Sequence, residues 1–413
     1  MTPAHQRRLF LLVSGLSTAG SFAGLTAKGW ILMHGSGSAL LLALHFAALS
    51  LPSLVVSGPA GVLTDRLGCR TVLIRAQWGL LTAAVLGALA IPLLAGTAQM
   101  AALLLSTLLV GLASSYELTA RNKYAALLVE HSDELAPYLA SFSVVFNVGK
   151  LVGPPLGGWL VALQGPAGAL AIDAATYLLP IVAVLWLLQP HGSMERRSGG
   201  GAAASLATAW RSCGATLRHV LRFTALSCLV GFFHPGLAPL IAAQILGPSP
   251  QALGWFTSVL ATGSIVGGIV LQKNSGWLSQ RPGLLMGTCT VLTALAQLGM
   301  AAAQPQRLGW LAVPLALAMA FLIGAGTASL LAGVNLIGQV GAPMAIRGRM
   351  AGLGQIAFLG GGGLSGLMAA ALTGTLGLPA CFGLLGGTGL VIGVAELIRH
   401  GGLRLRPAEL RSA

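Results

Sequence analysis

The sequence predicts an all-α integral membrane protein of twelve transmembrane helices in two six-helix bundles. Three observations carry that expectation. Of its 413 residues, 55% are hydrophobic and only 8% charged, where soluble domains carry about 25% charged residues. Apolar runs long enough to cross ~30 Å of hydrocarbon recur along the whole chain. The longest polar interval, Gln189–Arg222, leaves six such runs on each side. The ~10-residue alternating segments of a membrane barrel do not occur in the sequence.

Taken in order, the spans are expected at 9–33, 38–58, 72–95, 99–120, 138–163, 166–188, 223–246, 252–272, 282–303, 310–335, 351–373 and 378–398. The opening "MTPAHQRRLFLLVSGLSTAGSFAG" has the basic start of a signal peptide. Apolar character continues to Met33, so an uncleaved first span is expected. With the N-terminus inside, every Lys and Arg except Lys28, Lys150 and Arg307 falls on the cytoplasmic side. The positive-inside rule then places both termini in the cytoplasm and explains the net charge of +14 without a nucleic-acid partner. Expected units are an N-terminal bundle (1–188), a cytoplasmic linker (189–222), and a C-terminal bundle with a short tail (223–413). The linker holds a Gly/Ala/Ser stretch, then a basic amphipathic segment with Trp210, Leu217 and Val220 that could lie on the membrane surface. Trp30, Trp78, Trp159, Trp255 and Trp310 fall near span ends, as interfacial anchors do.

Enzymatic chemistry is not indicated. Five scattered cysteines (Cys69, Cys213, Cys228, Cys289, Cys381) offer no CxxC, so neither a disulfide framework nor a metal site is implied. There is no GxxxxGK[ST] and no Ser/His/Asp ordering, so no cofactor and no enzyme are expected.

Two motifs stand out. "GVLTDRLGCRTVL", Gly61–Leu73, places Asp65, Arg66 and Arg70 between spans 2 and 3. Gly61 permits close helix approach, Gly68 a tight turn, and Asp65 can pair with Arg70 or a neighbouring helix. In span 5, "NVGKLVGPPLGGWL" carries Gly149, Gly153, Pro154, Gly157 and Gly158. Small residues four apart let helix backbones approach, and Pro154 removes a helical hydrogen bond. Span 11 has a second small-residue surface, "LGGGGLSGLMAA".

Gly61, Leu63, Asp65, Arg66, Gly68, Arg70 and Leu73 resemble the loop 2–3 signature of the major facilitator superfamily. Cys69 departs from its usual basic residue. The resemblance implies a conformational latch at Gly61, Asp65, Arg66, Gly68 and Arg70, not a substrate site. The span 5 glycines and Pro154 resemble that superfamily's exporter-associated motif. Ala120–Arg121, Leu128–Val129, Asn147 and Lys150, with "RPGLLM", "ASLL" and "GRMAGL", resemble the branch of bacterial siderophore exporters. The span 4 arginine of many proton–drug antiporters is missing from "LLVGLASSYELTA".

Ionisable residues inside spans are costly and are functional candidates by default. They are Lys28 (span 1), Glu117 (span 4), Lys150 (span 5) and Asp173 (span 6). The resemblance implies that spans 1, 4, 7 and 10 line a central cavity, which favours Lys28 for an anionic substrate and Glu117 for proton coupling. Structural ion pairs or snorkelling are the competing roles. His234 and His45 could carry protons, and Asn335, Gln339 and Gln244 could hydrogen-bond a ligand. The expected function is proton-coupled export of a small molecule, an anionic siderophore in the first instance, by a monomer in a bacterial cytoplasmic membrane. A multidrug exporter is the alternative, and a non-transporting membrane sensor or assembly partner a third reading.

Overall fold

A computed structural model describes residues 2–129, 132–189, 210–341 and 347–404. Among these residues the chain is helical throughout, and eleven helices are long and apolar enough to cross a membrane. One of them, Val144–Leu187, has 44 residues. At 1.5 Å per residue that is about twice the thickness of a bilayer core. Gly165 (φ 73°, ψ 173°) divides it, so the count becomes the expected twelve. Only glycine adopts that backbone readily, and Pro166 then starts the next helix.

Spans 1, 3 and 4 are single helices, Pro3–Ser36, Cys69–Leu93 and Gly96–Leu127. Span 2 is broken into Ala39–Ser50 and Pro52–Leu67, because Pro52 cannot donate to the preceding turn. Spans 5 and 6 share Ser132–Thr176, with span 6 continuing through Leu178–Val182 and a π-helical turn, Ala183–Leu187. Span 7 is Ala215–Gly231 and His234–Leu246, interrupted ahead of Pro235. Spans 8 to 12 are Pro250–Lys273, Pro282–Ala302, Ala312–Gly341, Arg347–Leu376 and Leu378–His400. Several ends are closed locally. Thr2 Oγ1 accepts from His5 N (3.4 Å) ahead of Pro3, and Ser249 Oγ accepts from Ala252 N (3.1 Å) ahead of Pro250. Gly37 ends span 1 in the left-handed region.

The described chain divides into two compact units, one within Met1–Gly37 and Ala48–Ala203, the other within Ser38–Ala47 and Ala204–Ala413. The first half of span 2 therefore packs with the second unit, where Phe46 meets Phe232 at 6.3 Å between ring centroids. In the first unit, Phe10, Tyr124 and Phe142 build an aromatic core with Leu73 and Val184. In the second, Leu217, Val220, Leu221, Leu285, Met286 and Val334 belong to one core.

Several helices run past their expected bounds, and two of these differences, the start of span 7 and the end of span 4, share one reason. Span 7 starts at Ala215 rather than 223, and Leu217 and Val220 are core residues, not a membrane-surface face. Span 4 runs to Leu127 rather than 120, carrying Arg121 inside the helix. In both, polar residues within a helical stretch were read as its end, although tertiary partners hold the extra turns. Trp30 also differs, being buried and stacked on His34. Trp78, Trp255 and Trp310 are exposed, as anchors should be.

Candidate functional site

The span 5 glycines form the surface on which span 1 rests. A Cβ at Gly149 would stand 2.9 Å from Gly15 O, and at Gly153 2.7 Å from Ala19 O. At Gly157 it would stand 2.9 Å from Thr26 Cβ and closer still to Ala23 O. The spacing of four thus repeats against carbonyls four residues apart on span 1, bringing the two backbones into direct contact. Gly158 belongs to the same run and is buried. Span 1 presents a second pair of glycines to span 6. Thr176 and Asp173 occupy the space that Cβ atoms at Gly20 and Gly24 would need. Gly20 and Gly24 were not singled out in the sequence, although their spacing is the same.

Lys28 is 1% exposed and Asp173 2%. Lys28 Nζ donates to Ser106 Oγ (2.8 Å), which donates to Ala83 O (2.6 Å). Asp173 attracts Lys28 electrostatically. The Tyr177 hydroxyl lies beside Asp173 and Ser21, and Asp173 Oδ1 is buried without a well-formed hydrogen bond among the described residues. Gly87 leaves room for the lysine, since a Cβ there would stand 3.0 Å from Lys28 Cε. Spans 1, 3, 4 and 6 therefore converge on one buried ionic group. A buried carboxylate with such an oxygen can accept a proton at that atom.

A second group lies on spans 1, 3, 4 and 5. Glu117 Oε1 accepts from Arg121 Nη1 (3.0 Å) and from Gln77 Nε2 (3.1 Å). Arg121 Nη1 also reaches Thr18 Oγ1 (3.3 Å). The Phe146 ring has Arg121 4.4 Å and Lys150 4.7 Å from its centroid. Lys150 also lies 6.0 Å from the Phe22 ring. It is only half-buried, unlike Lys28. Span 4 carries one buried arginine, Arg121, one turn after Glu117 and paired with it. An arginine four residues after a glutamate was the available signal; placing the span end at 120 hid it.

The structure brings Lys28 together with Asp173, and Glu117 with Arg121 and Lys150. His234 and Asn335 belong to the second unit. His234 is buried with Nδ1 unpartnered and its ring edge-on to Phe232. Asn335 is half-buried, with Oδ1 3.6 Å from the Cβ position of Gly354. His45 is buried and Gln244 exposed. The side chain of Gln339 lies outside the described residues, as does that of Asp65 in the loop 2–3 motif.

The rest of that motif is well defined. Gly68 makes the turn at φ 83°, a conformation that suits glycine. Arg66 is exposed. Arg70 donates to Val184 O (3.2 Å) and Leu185 O (3.1 Å), capping the carbonyl end of span 6. Cys69 is buried in the aromatic core, so its contribution is packing rather than one charge fewer on a solvated loop. Gly61 stands half-buried inside the second segment of span 2.

Twelve spans in two helical units are the architecture of a membrane transporter of the major facilitator type. The chain belongs to the family described as transmembrane secretion effector, whose model matches residues 4–410. It is 29% identical to the multidrug efflux pump Tap of Mycolicibacterium fortuitum, over 100% of both chains. To Tap of Mycobacterium tuberculosis (strain ATCC 25618 / H37Rv) it is 25% identical, over 91% of this chain and 88% of that one. Its fold is similar to the nucleoside transporter NupG (TM-score 0.71, 13% identity, 95% of this chain and 98% of that one). It is likewise similar to the inward-open xylose transporter XylE from E. coli (TM-score 0.69, 13% identity, 97% and 98%). It is a multi-pass membrane transporter and not an enzyme.

Proposed function

We propose that this protein exports hydrophobic, drug-like compounds, cations among them, by proton-coupled alternating access. The observation that carries this reading is the full-length similarity to a multidrug efflux pump. The expected siderophore cargo gives way to it, because the relatives named above are drug exporters and the short motif matches to siderophore exporters are individually weak. The span 5 glycines support the exporter reading, since their packing on span 1 gives that motif a defined structural role.

Coupling is assigned first to Asp173. Proton uptake at its buried Oδ1 would weaken its attraction for Lys28 and leave that cation held by Ser106 alone. Glu117 is the second candidate, with both of its partners released together on protonation. The loop 2–3 motif acts as the latch through Arg70, which ties the start of span 3 to the end of span 6. The proposal also includes a bacterial cytoplasmic membrane, cytoplasmic termini and a monomeric unit.

The test is ethidium efflux from energised cells, and from everted vesicles across a series of pH gradients. Expression of the protein should lower accumulation, and collapsing the proton gradient should restore it. Asp173→Asn should remove the pH dependence. Unchanged dye accumulation together with a loss of siderophore secretion on deletion would replace the drug reading with the siderophore one.

A further inference from the structure

We infer that the second unit carries a binding site for a divalent transition metal of the zinc type, formed by His219, Glu396 and His400. Each of these residues offers one ligand atom, and the three atoms lie within 4.8 Å of one another. His219 comes from the first turns of span 7, while Glu396 and His400 come from the last turns of span 12. The spacing of four puts both span 12 ligands on one helix face.

The carboxylate is the fixed element. Glu396 is 5% exposed, and its two oxygens each face one imidazole: Oε1 lies 2.7 Å from His219 Nε2, and Oε2 3.0 Å from His400 Nδ1. The two rings pack at 4.2 Å between centroids. Gly283 of span 9 holds the histidine-bearing turn, since a Cβ there would stand 3.0 Å from His400 Cβ. Both imidazoles remain partly accessible from solvent, which leaves an entry path.

Charge selects the occupant. Two protonated imidazoles in ring contact would repel, and one carboxylate can neutralise only one of them. Two neutral imidazoles and one carboxylate are instead a donor set for zinc, cobalt or nickel, with a position left open for water. Magnesium and calcium prefer oxygen ligands and fit poorly. Ligands of a tetrahedral zinc stand about 3.4 Å apart, so side-chain adjustments of up to roughly 1.4 Å complete the site. A bound metal would fasten the first span of this unit to its last. No metal was expected from sequence because the ligands are split between residue 219 and residues 396–400.

The experiment uses the full chain in detergent, carrying no histidine tag and stripped of metal, titrated with zinc chloride, with magnesium chloride as control. The expected result is one zinc per chain, removable by EDTA, with a zinc-dependent rise in melting temperature. Cobalt should give a ligand-field spectrum of low coordination number. Glu396→Gln, and separately His219→Asn, should each weaken zinc binding by at least the ~10–100-fold lost with an outer-shell partner, while both variants keep the parent's far-ultraviolet helix signal. Zinc binding unaffected by either substitution overturns the assignment. So does a melting temperature that responds to acidification but not to zinc, which would make the cluster a proton-operated contact. Neither result depends on the drug-export reading, because nothing transported is measured.

Discussion

Both units bury neutral polar groups, and buried ions separate them. Spans 1, 4 and 6 of the first bury Lys28, Glu117, Arg121 and Asp173. Spans 7, 9 and 10 of the second bury Thr224, Ser227, His234, Thr290, Thr293, Gln297 and Thr327 instead. Its one buried carboxylate among the described residues, Glu396, lies near a helix end beside two histidines. The close packing is nevertheless alike. Gly361 of span 11 meets Ala225 O of span 7, with a built Cβ at 2.7 Å, much as Gly153 of span 5 meets Ala19 O of span 1. Similar small-residue scaffolds thus hold different interiors. Intramembrane ions are expensive to keep and neutral hydroxyls are not, so the proposed proton coupling falls to the first unit.

The largest expected effect comes from breaking the charge balance. Lys28→Met leaves Asp173 without its nearby cation and should be the most destabilising of these changes, costing on the order of 1–3 kcal/mol as for a buried polar group that loses its partner. Thermal melting of the full chain reads it directly. Lys28→Met combined with Asp173→Asn should recover most of the loss, and a single variant as stable as the parent would show that the pair does not hold the fold.

A smaller effect tests the shared scaffold. Gly153→Val should cost roughly 1–3 kcal/mol by overpacking, because the added carbons meet Ala19 O of the span 1 backbone. Gly268→Val, on the exposed side of span 8 with nothing within 4 Å, should stay within about 0.5 kcal/mol on the same assay. Equal losses at both positions would mean helix propensity, not close approach, governs these glycines.

The smallest effect lies in the neutral interior. Gln297 donates to Gly231 O (3.2 Å) and weakly to Val230 O, where span 7 is interrupted. Gln297→Leu should cost about 0.6 kcal/mol, the average for such intramembrane hydrogen bonds. A loss comparable to that of Lys28→Met would show that the second unit depends on buried polarity as strongly as the first.

Composition and apolar run length alone were enough to indicate the membrane class, the number of spans and most of their positions, because the bilayer demands ~20 apolar residues wherever a helix crosses. The turn at Gly68 and the glycine run of span 5 were legible too, since a positive φ and a four-residue spacing are local properties. Distant partners were not legible. That Asp173 rests on Gly24 and faces Lys28, and that Arg70 caps span 6, depend on residues more than a hundred positions away, whereas Arg121 stands only four residues from Glu117 and was within reach of the sequence. Hydropathy records the cost of burying each charge, but only tertiary packing decides which opposite charge or carbonyl offsets it.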